Sequence, residues 1–209
     1  MALNSIAIQN FRNLKQVNLS FCKALNFIWG FNASGKTSLL EAVYLLSTGR
    51  SFRSRQIDNI ISKDSDTREL VVFGRLDIIT PPRDTTSIGV RKSLLNGSEI
   101  KIAGSSVKSA AALAKLSPVL LIEPASFELL NGPPKIRRQF LDWGVFHVEH
   151  DFSVLWKEYI YCLKQRNSIL RTAKIDLIQL KVWDRKLVAL GDQITAYRHS
   201  FMDMFRNKL

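Results

Sequence analysis

At 209 residues, with 46% hydrophobic residues, the chain is long enough for one or two domains with a real core, which excludes wholesale disorder. A formal net charge of +12 favours a polyanionic partner, nucleic acid first, over an uncommitted basic surface. The apolar runs fall short of the roughly 18 residues that span a bilayer, no secretory pattern opens the chain, and Cys22 and Cys162 form no CxxC pair, so the expectation is a cytoplasmic protein with buried, reduced thiols, no membrane association, and no zinc or redox site.

Taken in chain order, Leu3–Ile8 and Val17–Phe21 alternate apolar and polar residues as half-buried strands do. Leu25-Asn26-Phe27-Ile28-Trp29 is a short apolar run that predicts a buried strand. It feeds the octapeptide Gly30-Phe31-Asn32-Ala33-Ser34-Gly35-Lys36-Thr37, which matches the phosphate-loop pattern G-x-x-x-x-G-K-[ST]. Two glycines let the backbone bend its N–H groups around an anion. A helix start adds positive partial charge. In that pattern Lys36 reaches the β- and γ-phosphates of ATP, and the Thr37 hydroxyl ligates Mg²⁺. Leu39, Ala42, Val43 and Leu46 recur at helical spacing behind the loop, and Gly49 supplies the stop.

The stretch Gly49–Arg55 sets Phe52 among Arg50, Arg53 and Arg55. It fits either nucleic-acid stacking or a solvated loop with Phe52 turned into the core. Glu69–Leu76 and Ser87–Val90 predict further strands, separated by Pro81-Pro82, and Asn96-Gly97 predicts a hairpin turn. These form a small antiparallel sheet beside a parallel nucleotide core. Val107–Leu116 is helix-like, and Val119–Glu123 predicts another buried strand, ended by Pro124.

From Lys135 the pattern is helical. The cluster Lys135, Arg137, Arg138 suits a phosphate contact or a solvated helix face. Trp183, Leu187, Leu190, Ile194, Tyr197, Phe201 and Met204 step by four and three, a heptad seam. With Phe152, Leu155, Tyr159 and Leu163 before it, and a connection near Lys174-Ile175-Asp176, this predicts an antiparallel helical pair, as a coiled coil or as part of a small bundle. The expected division is 1–147 for the first part of an ATP-binding head and 148–209 for a helical arm. No second acidic strand and no water-activating residue is evident, so no catalytic residue is assigned and hydrolysis by this chain alone is not expected.

Asn10-Phe11-Arg12-Asn13-Leu14, the octapeptide and Leu40-Glu41-Ala42 together resemble the head of an SMC-type ABC ATPase. Gly49–Ser54, Leu129–Arg138, Phe140–His147 and Leu163–Asn167 narrow the resemblance to the RecF family of bacterial DNA replication and repair proteins. It implies an α/β fold: a P-loop lobe with a small antiparallel sheet, interrupted by an antiparallel helical arm. It implies ATP and Mg²⁺ as ligands, with Arg12 near the phosphates and Asn32 as the loop asparagine. It further implies weak ATPase activity in the whole family protein, ATP-dependent homodimerisation, binding to single-stranded or gapped duplex DNA, a RecR-type mediator as partner, recombinase loading at gaps, and a link to the SOS response. The family's signature motif and second acidic strand would lie beyond the arm. The family's Pro-Glu reads Pro124-Ala125 here, which removes an acid. The competing readings are a P-loop kinase whose lid uses Arg53, Arg55, Arg137 and Arg138, and a non-hydrolysing helical scaffold.

Overall fold

The computed structural model describes residues 2–78, 84–172 and 175–208. Contacts divide it into two compact units, Met1–Leu121 and Ile122–Leu209. This boundary falls before the 147/148 division read from the sequence, because the helix that carries Asp142 packs with the helices that follow it.

The first unit is a six-stranded sheet backed by two helices. Its strands are β1 (Ala2–Phe11), β2 (Leu14–Ser20), β3 (Glu69–Ile78), β4 (Asp84–Ser93), β5 (Gly97–Ile102) and β6 (Ser105–Ser106). They lie in the order β2-β1-β3-β4-β5-β6, and every pairing is antiparallel. Burial alternates along the strands: Ile6, Ile8, Leu70, Val72, Ile88 and Val90 are buried on one face. That face is covered by α1 (Lys36–Thr48), whose Leu39, Ala42, Leu45 and Leu46 complete the core, and by α2 (Ala110–Leu116) through Leu113. Gly49 ends α1 in the left-handed region, its N–H bonded to the Leu45 carbonyl at 2.7 Å. Gly97, φ 74°, turns the hairpin expected at Asn96-Gly97.

The strand expectations need correction. Neither Leu25–Trp29 nor Val119–Glu123 is a strand, and no parallel pair exists among the described residues. Phe27 is 82% exposed, Trp29 90% and Ile122 81%. A strand buried on both faces needs neighbours to hydrogen-bond with, and no described strand pairs with either segment. The Pro81-Pro82 break and Lys174 lie outside the described residues.

The second unit is helical. A 3₁₀ turn (Pro124–Phe127) leads to α3 (Glu128–Asn131), α4 (Pro134–Val148), α5 (Phe152–Ile169) and α6 (Leu177–Arg206). The Asp176 carboxylate caps α6 by accepting from the N–H groups of Ile178 and Gln179. The seam meets α5 as expected: Leu190 and Ile194 are buried with Phe152, Leu155 and Cys162, while Trp183, Leu187, Tyr197 and Phe201 pack around them. An ion pair joins Arg166 to Asp184 at 2.5 Å.

α4 joins the pair, which makes a bundle and not a free two-helix coiled coil. Arg198 of α6 donates two hydrogen bonds to Asp142, at 2.8 and 3.0 Å. A Cβ at Gly144 would stand 2.2 Å from the Phe201 ring, so only glycine admits that ring. Cys162 is buried as expected, but Cys22 is exposed, a correction that follows from its place ahead of the unpaired segment.

Candidate functional site: an anion cleft at the start of α1

The phosphate loop is built by left-handed backbone. Gly30 (φ 151°), Ala33 (φ 63°) and Gly35 (φ 98°) all turn the chain there. Gly35 is required twice over: its φ suits glycine, and a Cβ would meet Leu14 Cδ2 at 2.7 Å. No side chain caps the N-terminus of α1, and its first turn holds no acid. The free N–H groups and the positive end of the helix dipole therefore face whatever sits at the loop. Lys36 Nζ donates to the carbonyls of Gly30 (2.8 Å) and Phe31 (2.7 Å), so the lysine lies across its own loop.

Asn32 to Ser38 line an open cleft of about 1430 Å³. That is more than the ~300–1,000 Å³ of ordinary small-ligand clefts, so a nucleotide fits. Gly30 and Phe31 serve through their carbonyls and do not line it; the Phe31 side chain is 91% exposed. Thr37 is exposed within the lining. The rest of the lining comes chiefly from Arg12 and Asn13, from Arg53 and Ser54, and from a stretch between Asp58 and Arg68.

Arg12 reaches the cleft from the turn between β1 and β2. It is a non-glycine residue at φ 54°, a conformation that costs of order 1–3 kcal/mol and persists only where the surroundings enforce it. The enforcement is visible: its N–H bonds the Ile60 carbonyl at 2.9 Å, Nη1 bonds the Asn59 carbonyl at 2.6 Å, and Nε and Nη2 bond Glu41 at 3.1 and 2.8 Å. The structure thus places Arg12 and the phosphate loop in the lining of one cleft.

Three contributors have no role in the sequence reading. Asn13 ties the turn to the loop, donating to the Ala33 carbonyl at 3.0 Å and accepting from Ser38 Oγ at 2.7 Å. Glu41 anchors Arg12 from beneath. The Asp58–Arg68 wall carries no motif. Only Glu41 leaves a signal, an acid on the apolar face of a helix. Of the basic stretch, Phe52 is half-buried and packs edge-on against Tyr44, outside the core cluster, and Arg53 pairs with Glu41 at 3.6 Å. The other arginine cluster is partly engaged, Arg137 donating to the Gly132 carbonyl at 2.9 Å.

Among the described residues no three acidic, histidine or cysteine side chains gather as a metal cage, and no helix is long and apolar enough to cross a membrane.

Residues 2–133 match the RecF/RecN/SMC N terminal domain. The chain belongs to that family. It is 42% identical over 206 residues to the DNA replication and repair protein RecF of Stutzerimonas stutzeri, and 41% identical to that of Azotobacter vinelandii, covering 99% of this chain and 55% of each relative. It spans about half the length of the curated relatives it matches. Among solved structures it is similar to the recombination mediator protein RecF with ATP, of the RecFOR pathway, at a TM-score of 0.86 and 29% identity, over 99% of this chain and 55% of that one. An SMC ATPase described in the context of ATP-driven dimerisation matches at a TM-score of 0.54 and 18% identity, over 68% of this chain, a likeness of fold. The α/β, SMC-type lobe with its antiparallel sheet is therefore the fold class of the chain.

Proposed function

We propose that the chain is the nucleotide-binding part of an ATP-dependent DNA-binding protein of recombinational repair and replication-fork maintenance. The observation that carries this is the cleft itself: an uncapped helix start, Lys36 and Arg12 converge on one space. That donor set suits a polyphosphate. Similarity to an ATP-bound RecF over 99% of the chain supports ATP as that polyphosphate. Thr37 offers one hydroxyl to a cation, which fits Mg²⁺ held mainly by phosphates and water and does not fit a protein-only cage. When bound, Mg²⁺ would shield phosphate charge; the side chains of this chain do the binding and orienting.

DNA, single-stranded or gapped duplex, is the polyanion that the +12 charge answers. ATP-dependent pairing of two copies, a RecR-type mediator, recombinase loading at gaps, SOS inducibility and a cytoplasmic location belong to the same reading. The named relatives and the resemblance of the motifs support it. Engagement of Arg53 by Glu41 speaks against a kinase lid that needs that arginine free.

The test is ATP affinity, by calorimetry, of the chain and of Lys36→Ala. The expected result is a loss of about a hundredfold or more in a variant that keeps its circular dichroism, as for losing a charged clamp on phosphate. Equal affinities would overturn the reading. DNA affinity should fall steeply between low and physiological salt, and robust ATP turnover by the chain alone would contradict the expectation of none.

A further inference from the structure

Glu41 is fully buried, yet it is charged and lies outside the phosphate-loop pattern. Burying a carboxylate costs several kcal/mol unless partners compensate, and an apolar side chain of similar volume is often as stable or more so. Filling the space beneath α1 therefore does not call for an acid. What the acid adds is direction. Its two oxygens receive Arg12 Nε (3.1 Å) and Nη2 (2.8 Å), the Ser51 hydroxyl, and the approach of Arg53 Nη1 (3.6 Å). Ser51 Oγ in turn accepts from the N–H groups of Arg53 (3.0 Å) and Ser54 (2.9 Å). One side chain on the phosphate-loop helix thus fixes the β1–β2 turn and the 49–55 loop, and both of these wall the cleft.

The arithmetic of donors supports a role beyond cohesion. A guanidinium has five N–H groups. Arg12 uses one on each of its three nitrogens, with Glu41 and the Asn59 carbonyl, which leaves two. Those two belong to a residue of the cleft lining whose orientation is set from behind. The carboxylate itself is out of solvent, so it does not touch a ligand. Opposed by two arginines, its charge is outweighed and the wall stays cationic.

We infer that Glu41 is a positioning residue of the cleft: it acts through Arg12, and through Ser51 and Arg53, to hold the cationic wall in the geometry that binds phosphate. This rests on the ATP-binding reading above. The experiment compares ATP affinity of the intact chain with that of Glu41→Gln, Arg12→Ala and the double variant. Glutamine keeps the volume but sets an amide donor against a guanidinium donor. The expected loss for Glu41→Gln is about tenfold, and the double variant loses less than the sum of the two single losses. A purely cohesive Glu41 would lower the melting temperature and leave the affinity of the folded chain within twofold of the starting value; that result, or fully additive losses, overturns the inference. Should Glu41→Gln fail to fold, Ser51→Ala decides: a threefold or greater loss supports the network, and unchanged affinity overturns it. Loss on Lys36→Ala with none on Glu41→Gln sinks this inference alone, whereas no ATP binding by the unaltered chain sinks both readings.

Discussion

The two flanks of the phosphate loop are equally apolar and meet opposite fates. Behind it, Leu39, Ala42, Leu45 and Leu46 are buried against the sheet. Ahead of it, Leu25, Phe27 and Trp29 stand 66%, 82% and 90% exposed. A helix satisfies its own backbone and needs only one surface to cover its stripe. A doubly buried strand needs hydrogen-bonding neighbours before its side chains have anywhere to go. Apolarity states a demand for burial; whether it is met depends on what else is present.

The contrast is broken most directly by truncation. Leu45→Ala, at a fully buried site, should destabilise by about 2–5 kcal/mol in urea unfolding, whereas Trp29→Ala should stay within about 0.5 kcal/mol. Comparable losses would mean that the leading segment is packed. Next in size is Gly35→Ala at the joint between the flanks: a left-handed φ and the approach of Leu14 predict a loss of about 1–3 kcal/mol, with weakened ATP binding. The helical unit supplies a control with its partners in place: Arg198→Ala removes two charge-assisted bonds to Asp142 and should cost about 1.5–3 kcal/mol, read from thermal melts. Acrylamide should quench Trp29, in a variant that keeps only that tryptophan, about as well as it quenches a free indole.

The smallest effect is a pH dependence in the helical unit. Partial burial of His147, between Trp143 and Phe146, pushes its imidazole below the ordinary 6.5. The unfolded chain then binds this proton more readily than the folded one. Stability therefore rises with pH through the window just below 6.5 and is lost on acidification. His147→Gln should flatten melting temperature against pH in that window; an unchanged slope would assign the effect elsewhere.

Most of the fold was legible where the signal is local. Alternation marked β1 and β2, strand-like runs marked β3 and β4, helical patterning marked α1 and α4 to α6, and Gly49 and Gly97 marked their turns, since each depends on neighbours within a few residues. The strands expected at Leu25–Trp29 and Val119–Glu123 failed because a buried strand needs hydrogen-bonding neighbours and no described strand pairs with either segment. Gly30–Thr37 and Arg12 were legible as a pattern and a resemblance. The Glu41 hub was not, because residues 12, 41, 51 and 53 meet only after the sheet has closed.

That closure has a kinetic consequence. β3 to β6 form a meander of near neighbours, while the pairing of β1 with β3 joins residue 9 to residue 71 and encloses β2, the phosphate loop and α1 within one long excursion of the chain. Short-range hairpins are entropically cheap and quick; a closure of that span is slower. The meander is therefore expected to form first, and the cleft to exist only once the outer strand has docked. A ligand that recognises the finished cleft would then gather its stabilisation entirely at that last step, and ATP would slow unfolding far more than it would speed folding.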